Sequence, residues 1–559
     1  MTERRELRLT QARAWMRQDP DAETRDELAV IITRTASGDA DALADLDDRF
    51  GSRLAFGTAG LRGALGAGSN RMNRVLIAQA ASGFADYLRK HAQGRIPTVV
   101  VGYDGRRNSR RFALDSAELF AGAGLRTILL PRLLPTPVLA FAVRHLGADA
   151  GVMVTASHNP PNDNGYKVYL GGADNGAQIV APADAEIASH IDRVAEAGNI
   201  SALPRSAAYT VAGEDIVAAY VAATATVAPA PASARELTWV YTAMHGVGWA
   251  TFSQILRAAG YPQPKTVSAQ LSPDATFSTV AFPNPEEPGA MDLSFDTARR
   301  TRADFILAND PDADRLAVAI PDEAAPGGWR RFSGNEIGLL LGARAARAAT
   351  GTVGASLACS LVSSPGLAAI AAHHGLDFHE TLTGFKWISR APGIVYGFEE
   401  ALGYLVNPET VRDKDGISAA LAILGLAAEA HERGATLGTL LTELGDTYGH
   451  FASGQVSIRV EDVSIIGKIM LSLRTLPPSR IGDVAIHSAE DLLQVAPGQP
   501  AGDVLRYRLA GGSRVIVRPS GTEPKLKIYL DVQGESAADA TAQVAALEAG
   551  VHALLAERN

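Results

Sequence analysis

The first arrangement in the chain able to do chemistry is a serine beside an imidazole at the end of an apolar run. Thr155-Ala156-Ser157-His158-Asn159-Pro160-Pro161 follows directly on Gly151 to Val154 and precedes Gly165-Tyr166-Lys167. A serine at a strand end, next to a small residue, is placed to act as a nucleophile or phosphate carrier, with His158 and Lys167 to move protons or hold phosphate oxygens. Taken alone, the segment reads first as a turn whose Ser and Asn satisfy backbone donors. A second arrangement, Asp310-Pro311-Asp312-Ala313-Asp314-Arg315, lies between the apolar runs Phe305 to Ala308 and Leu316 to Ile320. In an extended loop alternate side chains point the same way, so these carboxylates converge on one divalent cation, and magnesium suits such hard oxygen ligands. Without a cation the three like charges repel. An EF-hand is excluded, because its sixth position would be Arg315 in place of glycine and its twelfth Pro321 in place of glutamate.

A third segment, Arg518-Pro519-Ser520-Gly521-Thr522-Glu523-Pro524-Lys525, again separates two strand-like runs. Gly521 permits a tight turn with free N–H groups, Ser520 and Thr522 add hydroxyls, and Arg518 adds a fork suited to a phosphate dianion. It lacks the GxxxxGK[ST] pattern of nucleotide hydrolases, and an ordinary polar hairpin has the same composition. Two weaker islands complete the set. Gly397-Phe398-Glu399-Glu400-Ala401-Leu402-Gly403 ends a strand with paired carboxylates able to accept from vicinal sugar hydroxyls, although such pairs are more often surface charge. Phe56-Gly57-Thr58-Ala59-Gly60-Leu61-Arg62-Gly63 offers close backbone approach and one cation.

The elements that must hold these loops follow from periodicity. The first fifty residues read as a charged helical lead-in, and Leu76, Ala80, Phe84 and Leu88 mark the apolar face of a helix. Short apolar runs at Val99 to Val101, Ala150 to Thr155, Leu237 to Tyr241, Phe305 to Ala308 and Ile394 to Phe398 alternate with alanine-rich helical stretches. The last hundred residues change character, with strands expected at Gln455 to Val460, Arg514 to Val517 and Leu526 to Val532. A terminal helix follows, with Val544, Leu547, Val551 and Leu554 on one face. The expected fold is three mixed-sheet α/β domains and a smaller C-terminal α+β domain. The domains are drawn at 1–205 (arginine and serine loops), 206–325 (aspartate loop), 326–445 (glutamate loop) and 446–559 (phosphate loop).

Composition narrows the partners. With 559 residues, 47% hydrophobic, and a mean hydropathy of +0.03, the chain can build several cores. Its 52 basic and 61 acidic side chains leave a net charge of −9, which argues against nucleic acid as a partner. No disulfide can form within a chain whose one cysteine is Cys359, expected to be a buried thiol. The N-terminus lacks the apolar core of a signal peptide. The uncharged stretch Val217 to Ala234, interrupted by Pro229 and Pro231, reads as a helix end and linker, not a membrane span. The expected setting is cytoplasmic, with no membrane partner.

Together the five islands, in this order and spread over nearly the whole chain, resemble the α-D-phosphohexomutase family of phosphoglucomutases and phosphomannomutases. Gly57-Thr58-Ala59-Gly60-Leu61-Arg62-Gly63, Asn70-Arg71-Met72-Asn73 and Leu382-Thr383-Gly384-Phe385-Lys386-Trp387 are similar to its longer phosphoglucomutase-2-like branch, which includes phosphopentomutases. The resemblance implies that the four domains surround a central active-site cleft and that the chain is a magnesium-dependent isomerase moving phosphate between the C1 and C6 hydroxyls of a hexose. It also implies a phosphoserine and a sugar bisphosphate such as glucose 1,6-bisphosphate, which doubles as activator. On this basis Ser157 is the phosphoserine, and Asp310, Asp312 and Asp314 hold magnesium together with a Ser157 phosphoryl oxygen. Arg62, His158 and Lys167 assist the chemistry. Substrate contacts are expected from Glu399, Glu400, Lys414 and Arg315, and from Arg518, Ser520, Gly521 and Thr522 on the phosphate that stays in place. Glucose 1-phosphate and glucose 6-phosphate are the expected pair, with mannose phosphates possible. Ala401 departs from the serine that many phosphoglucomutases carry after the two glutamates, so the sugar stays open. A phosphopentomutase or a sugar-bisphosphate synthase is the alternative. A non-catalytic sugar-phosphate sensor is disfavoured, because the serine and all three aspartates are present. The sequence leaves monomer and homodimer equally open.

Overall fold

A computed structural model describes residues 2–460, 462, 464–495, 501–520 and 525–556. The chain forms two compact units, residues 1–331 with 403–429 and residues 332–402 with 430–559. Its architecture is the four-domain α/β one with mixed sheets, and the last domain carries an antiparallel sheet, as the change of character in the final hundred residues predicts.

In the first unit the run Thr98–Tyr103 is buried from its second residue on, as a β-branched strand covered on both faces must be. It pairs in parallel with Arg126–Leu129 and Ala150–Val154. Asp163–Leu170 then returns antiparallel on Ala150–Val154, and Leu61–Ala64 antiparallel on Asp163–Leu170. The strand that ends at Ser157, the strand bearing Lys167 and the strand bearing Arg62 are therefore consecutive neighbours in one sheet. A second sheet pairs Trp239–Thr242 in parallel with Phe305–Asn309, which is antiparallel to Leu316–Pro321. The three aspartates occupy the connection between these last two strands.

The helical lead-in consists of Thr2–Gln18, Ala22–Ala36 and Ala40–Phe50. It is tied to the loop after the Arg62 strand: Glu27 accepts from the Ala67 N–H at 2.9 Å, and Arg49 pairs with Glu27 at 2.9 Å. The following helix, Arg74–His91, buries Leu76, Ala80, Phe84 and Leu88. Its N-cap Asn73 accepts from the Leu76 N–H at 2.9 Å, while its amide donates back to the carbonyls of Gly66 and Gly68. One side chain thus starts a helix and closes the loop before it.

In the second unit the strands Asp377–Thr381, Ser356–Ser360 and Ile394–Glu399 are parallel, with Ser356–Ser360 in the middle. Cys359 lies on that central strand, and burial pushes its thiol up. The C-terminal sheet is antiparallel, running His450–Arg459, Lys525–Gly534, Arg514–Pro519, Leu505–Leu509, Val484–Asp491. The helix Ala537–Ala556 covers it through Leu547, Val551 and Leu555, with Val544 and Leu554 partly buried beside them.

The aspartate loop is set by a close backbone approach. A Cβ built on Gly246 would sit 2.3 Å from both Cα and O of Pro311, and the Val247 N–H donates to the Pro311 carbonyl at 2.8 Å. Gly246→Ala should therefore push the aspartate loop outward and cost about 1–3 kcal/mol, read as a lower thermal midpoint with unchanged far-ultraviolet circular dichroism. A midpoint equal to that of the parent would show that Pro311 yields without strain.

Candidate active site

Asp310, Asp312 and Asp314 are fully buried and bring carboxylate oxygens within 4.8 Å of one another. The expected extended loop is replaced by a turn. The Ala313 N–H donates to the Asp310 carbonyl at 2.9 Å, and Ala313 adopts φ +57°, a left-handed conformation unusual for a residue with a Cβ. Convergence comes from this kink, because fully extended backbone would not close the carboxylates around one point. Ser157 is also left-handed, at φ +52°. Its hydroxyl donates to Asp310 Oδ2 at 2.8 Å and lies 3.2 Å from His158 Nδ1. Such strain at both the serine and the aspartate loop persists only where the surroundings over-determine it.

Those surroundings are two residues absent from the sequence expectation. Arg106, almost fully buried, donates to the carbonyls of Ser157 (2.7 Å), Asn159 (2.5 Å), Pro160 (2.8 Å) and Asp163 (3.1 Å), and its guanidinium stacks 4.9 Å from the Phe277 ring. Its fork holds the serine loop in a shape that loop cannot satisfy internally. Thr136 donates to Asp312 Oδ2 at 2.6 Å, and its N–H donates to the Asp312 carbonyl at 3.0 Å. Neither position was legible beforehand, because each acts on a segment distant in the chain.

Lys167 Nζ donates to Asp312 Oδ2 at 2.7 Å and Asp314 Oδ2 at 2.9 Å. Lys414 Nζ lies 3.6 Å from Asp314, and Arg62 donates to Asn159 Oδ1 at 3.0 Å. The Arg315 N–H donates to Asp310 Oδ1 at 3.0 Å. Burial and the two neighbouring carboxylates push Asp310 well above the usual range. Burial pushes Asp314 up as well, but Lys167 and Lys414 outweigh it and hold Asp314 far below that range. Burial, then Arg315 and Arg62, drive the His158 imidazole well below its ordinary value. Even with these cations present, Asp312 Oδ1 and Asp314 Oδ1 are buried without a hydrogen-bond partner. Orphaned acceptors of this kind are costly. A hard divalent cation among all-oxygen donors would relieve them, so the residues fit magnesium.

Ser157, His158, Lys167, Arg62, Asp310, Asp312, Asp314, Arg315 and Lys414 thus lie in one unit. Glu399, Glu400, Arg518 and Ser520 belong to the other. Glu399 ends the strand Ile394–Glu399 and is 8% exposed. Glu400 accepts from the hydroxyls of Ser360 and Ser363, both at 3.2 Å, and its own N–H donates to Ser363 Oγ at 3.1 Å. Burial, then Glu400, raises the Tyr529 hydroxyl above its ordinary value, against the opposing influence of Arg518. In the Arg518-to-Lys525 segment the Ser520 N–H donates to the Lys525 carbonyl at 2.8 Å. Gly521 and Thr522 lie outside the described residues.

Four family models match in the order of these sites. They describe the α/β/α domains I, II and III and the C-terminal domain of phosphoglucomutase/phosphomannomutase, over residues 53–198, 218–324, 333–448 and 484–548. The chain belongs to the phosphoglucomutase/phosphomannomutase family. It is accordingly an isomerase of the phosphomutase type. A Haemophilus influenzae protein named "Probable phosphomannomutase" is 52% identical over 484 residues, 87% of this chain and 98% of that one. The human phosphopentomutase is 35% identical over 573 residues, covering 94% and 92%. A Burkholderia thailandensis phosphoglucomutase/phosphomannomutase family structure superposes with TM-score 0.67 over 89% of this chain and 98% of that one. At 21% identity it speaks for the fold alone. Among the described residues no helix is long and apolar enough to cross a membrane.

The lysine of the Arg412-Asp413-Lys414-Asp415-Gly416 segment is held by its two neighbours. Asp413 accepts from Tyr169 at 3.0 Å and Gln178 at 2.7 Å. Asp415 accepts from Tyr220 at 2.9 Å and from the Ile417 and Ser418 N–H groups at 3.0 Å each, at the start of the helix Gly416–Glu432. Burial raises Asp415 from 3.8 to about 6. A carboxyl whose folded value exceeds its unfolded value binds its proton more tightly in the native state, so its contribution is greatest in acid and fades as pH rises through both values. The parent should therefore lose up to about 3 kcal/mol relative to Asp415→Asn between roughly pH 4 and pH 7, and no more above that. Thermal midpoints of both proteins across this range check it; a constant difference would place Asp415 at its ordinary value.

Proposed function

We propose that this protein interconverts glucose 1-phosphate and glucose 6-phosphate through a phosphorylated Ser157 and a glucose bisphosphate intermediate. The observation that carries the reading is the Ser157 hydroxyl bonded to Asp310 at the mouth of a three-carboxylate cluster with two orphaned oxygens. In the forward step the bond from phosphorus to Ser157 Oγ breaks as a bond forms from the sugar hydroxyl oxygen to phosphorus. The displaced hydroxyl proton ends on Ser157 Oγ, relayed by His158 or Lys167. The bisphosphate then turns, and its other phosphate returns to Ser157 by the reverse exchange.

Asp310, Asp312 and Asp314, with Ser157, would hold magnesium, which when bound supplies positive charge to the phosphoryl oxygens. Arg106 and Thr136 keep the serine and aspartate loops in register. Lys167 and Arg62 offset phosphoryl charge, and Arg315 and Lys414 contact the substrate. Arg518 and Ser520, with Gly521 and Thr522 of the same loop, grip the phosphate that stays in place, while Glu399 and Glu400 accept from the sugar hydroxyls. The domain limits drawn from the sequence at 205, 325 and 445 remain our working division.

Two observations favour a second reading, a phosphopentomutase: Ala401 offers the sugar no hydroxyl, and a 35% identical relative over 94% of the chain carries that name. Purified protein with magnesium, a trace of hexose bisphosphate, and glucose, mannose, ribose or deoxyribose phosphates should isomerise at least one. The ratios of kcat/KM rank the sugars. Ser157→Ala should lower turnover by at least about 1000-fold with its fold intact. No turnover of any sugar phosphate by the parent would contradict a mutase, and substantial turnover by the variant would remove Ser157 from the mechanism.

A further inference from the structure

The second unit contains a buried cation that no step above uses. Arg514 opens the strand Arg514–Pro519, which ends beside Ser520, and is 7% exposed. Its Nε donates to Asp531 Oδ2 at 2.7 Å, its Nη1 to Glu380 Oε1 at 2.8 Å, and its Nη2 to the Ser363 carbonyl. The partners are themselves fixed. Ser453 donates to Asp531 Oδ1 at 2.6 Å, and Arg506 donates to the second oxygen of Glu380.

Register explains why this fork bears on the site. Arg514, Ile516 and Arg518 alternate along one strand and so share a face, opposite Asp531, Tyr529 and Lys527 of the neighbouring strand. On that face Ile516 and Tyr529 pack with Leu361 and Val362, in the segment that leads into Ser363. Ser363 is then the joint. Its carbonyl accepts from Arg514, while its hydroxyl contacts the Glu400 carboxylate and accepts the Glu400 N–H. At the other end of the same strand, Arg518 and Glu400 both act on the Tyr529 hydroxyl, in opposite directions. The strand that carries Arg518 is thereby tied to the glutamate loop through Ser363 and Arg514, the latter four residues before Arg518.

A buried ion pair adds little net stability over apolar residues of similar size, and the packing of Ile516 and Tyr529 on Leu361 and Val362 already holds the two layers together. What a rigid planar fork adds is registration. We propose that Arg514 is a positioning residue that fixes the distance between Glu400 and Arg518, and so sets the length of sugar phosphate that both can grip at once. This rests on the mutase reading above, which places substrate contacts at Glu400 and Arg518.

The test compares the magnesium-loaded parent with Arg514→Lys and with the double variant Arg514→Leu/Asp531→Leu. The double variant leaves no buried carboxylate unpaired and so protects the fold if the single one fails. In whichever variant folds, KM for the preferred sugar phosphate should rise about tenfold with kcat within about threefold. The preference between hexose 6-phosphate and pentose 5-phosphate, measured as a ratio of kcat/KM, should narrow by about the same factor. Unchanged KM and unchanged preference, with only the thermal midpoint lowered, would make Arg514 structural glue and overturn the proposal. A parent that turns over no sugar phosphate would instead sink the mutase reading on which it rests.

Discussion

Three carboxylates that cannot stay charged together in a dry pocket are the constraint from which the rest of the first unit follows. Asp310, Asp312 and Asp314 are buried within 4.8 Å of one another, and at such distances like charges and lost solvation both oppose ionisation. The fold answers with side chains from other segments: the Ser157 hydroxyl on Asp310, Thr136 on Asp312, Lys167 on Asp312 and Asp314, and Lys414 near Asp314. These compensations draw the serine strand, the lysine strand and the helix start after Lys414 to one point. The cluster remains incomplete: one oxygen each on Asp312 and Asp314 lacks a hydrogen bond, and that of Asp314 lies 3.9 Å from Arg315 Nε. That deficit is what a divalent cation would fill, where a fully satisfied network would be only a buried salt bridge.

Strain is distributed around the same point. Ser157 and Ala313 both hold left-handed backbone without being glycine, and each faces a rigid buttress: Arg106 against the carbonyls of the serine loop, Gly246 against Pro311. Preorganisation of this kind fixes the serine oxygen before a substrate arrives, which is where phosphoryl-transfer enzymes gain most of their rate. The second unit has cross-connections of its own. Its glutamate loop and its phosphate-loop strand are joined through Ser363 and Arg514.

Much of this was legible in the sequence, for identifiable reasons. The β-branched run at Val99 to Val101 and the i, i+4 spacing from Leu76 to Leu88 report local periodicity, and the strand and helix stand where those patterns put them. The serine and aspartate loops announced themselves because each concentrates its polar groups within a few consecutive residues. Arg106, Thr136, Ser363, Arg514 and Tyr529 gave no such signal, since each acts on a segment far away in the chain and its meaning depends on tertiary contact. The aspartate loop shows the intermediate case. Its convergence was foreseen, but the means was a turn through Ala313, a residue whose composition gives no hint of positive φ.

The most direct measurement is the site of covalent modification. Parent protein incubated with magnesium and glucose 1,6-bisphosphate, then digested and mapped by mass spectrometry, should carry one phosphoryl group on Ser157, removed when excess glucose 1-phosphate is added. Ser157 remaining unmodified while sugar phosphates are isomerised, or a phosphoryl group found stably on another side chain, would contradict the role assigned to the serine and its aspartate cluster.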